Sequence, residues 1–135
     1  MLKISELPSP AIAGVIRAKT KNQAIAGIKN CVYDGATMID LHLSCLENAD
    51  VQTLRDIFAS TRLPVLALNY NQKCDWSDAG YTEEQRVHSF FTAVEAGAAG
   101  VDMQGTTVQK RFSWRGQILL HTWKSQRDRY RRKCY

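Results

Sequence analysis

ATMIDLHLSCL, residues 36–46, is the stretch on which the reading of the whole chain turns. Its apolar side chains describe a buried strand, yet Asp40, His42 and Ser44 stand at every second position. Successive side chains of a strand point to opposite faces. A polar residue at each alternate position therefore turns one whole row away from apolar surroundings, toward water, a polar cavity or a site.

Upstream, AIAGVI (residues 11–16) reads as a first strand. A helix follows from Lys21 to about Tyr33, with Ala24, Ile25, Ile28, Cys31 and Val32 at helical spacing and Asp34 and Gly35 closing it. Downstream, Asp50 offers an N-cap for VQTLRDIFAS, whose Val51, Leu54, Ile57 and Phe58 share one face. PVLAL (64–68) makes a third strand, and the polar stretch 69–80 is long for a strand-to-helix connection, which marks it as a candidate functional loop. Thr82 with Gln85 has the spacing of a capping box and opens a third helix; GVDMQG (100–105) is a fourth strand. The phrases DGATMIDLHL and AGAAGVDMQG echo one another ahead of the second and fourth strands, as a repeated βα unit would. The order βαβαβαβ predicts adjacent parallel strands in sequence order, with helices on one outer face.

Composition sets the bounds. At 135 residues, 44% hydrophobic and 23% charged, the chain fits one globular domain and excludes a disordered class. No apolar run reaches the roughly 18 residues a membrane span needs, and MLKISELPSP lacks a signal-peptide apolar core, so a cytoplasmic protein without membrane partners is expected. Cysteines at 31, 45, 74 and 134 show no CxxC spacing; reduced thiols are expected, with neither a disulfide framework nor a metal site, and no cofactor is suggested. The net charge of +5 is unevenly spread. Residues 1–105 hold 9 Lys+Arg against 12 Asp+Glu, whereas residues 106–135 hold 9 against the single acid Asp128. The chain thus divides into a mildly acidic body, 1–105, and a basic tail, 106–135.

In unit order, spacing and motif context, residues 12–105 resemble the first half of the type I 3-dehydroquinate dehydratases, lyases of the shikimate pathway built as (β/α)8 barrels. The family's strand-two Glu-x-Arg-x-Asp corresponds here to Asp40-Leu41-His42-Leu43-Ser44. Its strand-three Thr-x-Arg corresponds to Ala67-Leu68-Asn69, with Lys73 near the place of a following Glu, and its strand-four Asp-x-Glu to Asp102-Met103-Gln104. Spacing survives while the charged set does not, Asp102 excepted. The family's general-base histidine and Schiff-base lysine belong to strands five and six, beyond the span of the resemblance. The resemblance implies the α/β class, specifically parallel βα units forming half of a TIM barrel, and a polar row facing the mouth of a barrel site.

On that basis the candidate substrate-binding residues are Asp40, His42, Arg17, Asn69, Asp102 and Gln104, with no catalytic residue assigned. His42 titrates near neutrality, and Arg17, with Lys19 and Thr20 after strand one, suits an anion. Asn69, Asn71, Lys73, Asp75 and Trp76 would form a lid. The plainer alternative for each is a solvated or hydrogen-bonded strand end or loop; His88 is expected at a helix surface. The implied function is that of a divergent, inactive partial homologue of the dehydratase, and whether it catalyses anything is left open. One alternative is a barrel protein that binds or processes another small anionic or hydroxylated metabolite. Self-association of half-barrels would cover the exposed edges. The tail, with Trp114, Trp123, Tyr130 and Tyr135 among its cations, suits a nucleic-acid grip or else a stretch produced by a changed reading frame, non-native and disordered.

Overall fold

The computed structural model describes residues 4–70 and 81–103. Four strands, β1 (Ala13–Ile16), β2 (Met38–His42), β3 (Val65–Leu68) and β4 (Gly100–Asp102), alternate with three helices, α1 (Lys21–Tyr33), α2 (Val51–Ala59) and α3 (Glu83–Ala96). All strand pairs are parallel and the sheet order is β1-β2-β3-β4. No helix among the described residues is long and apolar enough to cross a membrane.

Helix boundaries follow from capping chemistry. Thr20 accepts from the Gln23 backbone while the Gln23 side chain returns to Thr20, and Thr82 and Gln85 repeat the arrangement at α3. Asp50 caps α2 by accepting from the Thr53 amide at 2.7 Å. Each such cap contributes about 1 kcal/mol by satisfying donors the helix cannot. At the other ends, Gly35 and Gly97 adopt φ of 87° and 102°. Ala36 N donates to Cys31 O, and Ala98 N to Ala93 O, both at 2.9 Å. The sequence echo is thus a shared closure: a left-handed glycine stops the helix and aims the chain into the next strand.

The core lies on one side of the sheet. Ile16, Ile39, Leu41, Val65, Ala67 and Val101 pack with Ala24 and Ile28 of α1, Leu54, Ile57 and Phe58 of α2, and Phe90 and Ala93 of α3. Every one of these strand residues has the same alternation phase, so all three helices cover one face. Gly14 lets α1 come close: a Cβ there would sit 2.6 Å from Cys31 Cβ.

Two expectations need correction. The alternation of Asp40, His42 and Ser44 does not persist, because β2 ends at His42 and Leu43–Cys45 forms a 3-10 turn that buries Ser44. Nor are the thiols uniformly reduced. Cys31 is free, whereas Cys45 is disulfide-bonded. The absence of a short-spacing motif therefore did not exclude a bridge.

Candidate functional site

The opposite phase of each strand forms the inner face. Register places Val15, Asp40, Leu66 and Gly100 on one rung. His42, Leu68 and Asp102 continue a second rung toward the C-terminal strand ends, with Arg17, the residue after Ile16, beside His42. Ile4, in the turn Ile4–Glu6, reaches the same face, its Cδ1 lying 3.2 Å from where a Gly100 Cβ would be.

Asp40 is the least satisfied group of this face. Its Oδ1 is buried and finds no hydrogen-bond partner among the described residues. Burial first, and then the negative charge of Asp102, push its carboxyl above the ordinary carboxylate value. One rung further along β2, burial and then the positive charge of Arg17 hold the His42 imidazole below its usual value, which favours the neutral ring near pH 7.

Tyr70 completes the group. It continues the phase of Leu66 and Leu68 beyond the end of β3, donates its hydroxyl to Asp102 Oδ2, and meets the His42 ring edge-on at a centroid distance of 6.1 Å. Burial, then the bond to Asp102 and the charges of Asp102 and Asp40, push the phenol well above its ordinary value, so it remains a donor. The sequence reading passed over Tyr70. The signal was there, since the period of two runs on through 66, 68 and 70.

The structure brings together Asp40, His42, Arg17 and Asp102, but places Asn69 elsewhere. Asn69 has the phase of Ala67, points to the helix side and is fully buried. Its Nδ2 donates to Ser89 Oγ at 2.9 Å, and its backbone carbonyl accepts from Arg86 Nε at 2.8 Å. Arg86, 2% exposed, also reaches Glu83 Oε2 at 2.7 Å. This buried network ties the end of β3 to the first turns of α3. Its signal was an arginine in the apolar stripe shared with Phe90 and Ala93. Gln104, Asn71, Lys73, Asp75, Trp76 and the whole tail 106–135 lie outside the described residues.

Lys19 and Thr20 serve local structure, Lys19 in an exposed ion pair with Glu47 at 3.2 Å and Thr20 as the α1 cap. His88 is exposed on α3. Among the described residues no cluster of His, Cys, Asp and Glu is arranged to hold a metal ion. The inner face offers a guanidinium, a neutral imidazole, a phenol oxygen whose proton is held by Asp102, and the acceptor oxygen of Asp40. Such a set has the chemistry to pair with hydroxyl groups and an anionic group. No protein-family model matches this chain, and no curated protein matches its sequence.

Proposed function

We propose that this chain is a half-barrel of (β/α) units, divergent from the type I 3-dehydroquinate dehydratases, that binds a small hydroxylated, anionic metabolite on its inner face without the parent lyase chemistry. Sequential parallel strands with every helix on one side support a half-barrel over a doubly wound sheet, where helices cover both faces. The observation that carries the binding reading is Asp40 Oδ1, a buried acceptor with no donor from the described residues, set among Arg17, His42, Tyr70 and Asp102. A buried, unsatisfied carboxylate oxygen costs about 1–3 kcal/mol, and a ligand hydroxyl removes that cost.

Dehydration through an imine needs an amine that is desolvated or set beside another cation, within reach of the substrate carbonyl. Among the described lysines none occupies an inner-face position: Lys19 follows β1 and pairs with Glu47, Lys21 pairs with Asp56 at 2.7 Å, and Lys29 is exposed on α1. Calorimetric titration with 3-dehydroquinate is expected to show weak binding without turnover, and Asp40→Ala to lower the affinity at least tenfold. Borohydride added to the mixture is expected to leave the intact mass unchanged. Binding unaffected by Asp40→Ala would sink the assignment of the site, and a stable adduct on a lysine would restore the enzyme.

A further inference from the structure

Both edges of the described sheet are open, since β1 pairs only with β2 and β4 only with β3. The two edges carry opposite charge. The upper inner rung starts with Arg17 just past the end of β1 and finishes with Asp102 at the end of β4. At the β1 edge Ile12 and Val15 are each 56% exposed, and an open cleft of about 460 Å³ runs between β1 and α1 beside them. Unpaired strand edges with exposed apolar side chains are templates for another strand.

We propose that two copies of this chain join about a two-fold axis, β4 of each against β1 of the other, closing eight parallel strands around one interior in which Arg17 of each copy meets Asp102 of its partner. The inference rests on the half-barrel reading above. A two-fold axis along the strand direction keeps all eight strands pointing the same way, and eight is the number at which side chains just fill a barrel interior. Charge selects the pairing: β1 against β4 sets cation beside anion, whereas β1 against β1 would oppose two arginines. The site also changes. Within one copy Arg17 and Asp102 stand at opposite ends of a rung, but across the junction they become neighbours, so each ligand site draws residues from both chains.

Sedimentation equilibrium of the full chain tests this by charge reversal. A monomer–dimer equilibrium is expected, with Arg17→Asp and Asp102→Arg each weakening it roughly tenfold or more, the scale of a close interfacial charge pair. The double variant R17D/D102R is expected to return to within about threefold of the parent. Cooperative melting reports whether each variant folds; should a reversal unfold the chain, Arg17→Gln and Asp102→Asn take its place and must each weaken the dimer. A monomer at every concentration overturns the pairing, and so does a dimer indifferent to these substitutions. Because mass is the readout, a monomer that still binds 3-dehydroquinate through Asp40 would overturn the pairing while leaving the ligand reading intact.

Discussion

The two faces of one short sheet follow different rules. On the helix side, Ile39, Leu41, Val65 and Ala67 are fully buried within the apolar core. On the inner side the same strands carry Asp40, His42 and Asp102, all partly exposed, and burial moves the first two away from their ordinary titration. β2 shows both in five residues, its buried Ile39 and Leu41 alternating with Met38, Asp40 and His42. The contrast separates what holds the fold from the face we propose for a ligand. Apolar packing lies on one phase of the strands and titratable side chains on the other.

Substitutions on the two faces should therefore differ in kind. Leu54→Ala, in a fully buried position under the sheet, is expected to cost about 2–5 kcal/mol through lost contact and an unfilled cavity. Denaturant melts should show it as the largest effect. Gly14→Ala comes next, at about 1–3 kcal/mol, because the added methyl meets Cys31 at van der Waals overlap and α1 must move. Thr82→Ala should remove about 1 kcal/mol by leaving the Gln85 amide without its cap. A Gly14→Ala protein as stable as the parent would show that α1 does not pack where described.

The inner face should instead reveal itself through pH. The Asp40 carboxyl is raised when folded, so the native state holds its proton more tightly than the unfolded chain. Stability from this group is present in full below the unfolded value of 3.8 and declines as pH rises from there through the folded value. His42 works the other way. Its folded value lies below 6.5, so its contribution is present above 6.5 and is lost as pH falls through the folded value. Asp40→Asn is expected to flatten the first slope and His42→Gln the second, both effects being smaller than the core substitutions. Thermal melts from pH 3 to 8 measure them, and a slope unchanged in either variant would move the charge coupling away from these residues.

Much of this division was legible in residues 36–46 and their surroundings, because periodicity reports which phase of a strand is dry. Helix limits were legible where capping residues announce them: α1 lies where Lys21 and Tyr33 were expected, and α2 and α3 begin directly after Asp50 and Thr82. Strands proved shorter by a residue or two at most ends, since nothing comparable marks the point where pairing stops. Ser44 falls outside β2 because a 3-10 turn breaks the period of two. Asn69 was carried to the inner face by a motif match, although its phase with Ala67 assigns it to the helices. Arg86 looked like surface charge, and only tertiary packing shows that its guanidinium is buried against Asn69 and Glu83.

The central claim is that the phase carrying Asp40 is the ligand face and the phase carrying Leu41 is not. Backbone amide NMR shifts followed during titration with 3-dehydroquinate test it most directly. The account predicts saturable shifts concentrated at Arg17, Asp40, His42, Tyr70 and Asp102, abolished in Asp40→Ala, with α1, α2 and α3 little changed. Shifts centred on the helices or on residues 106–135, or none at millimolar ligand, would contradict it.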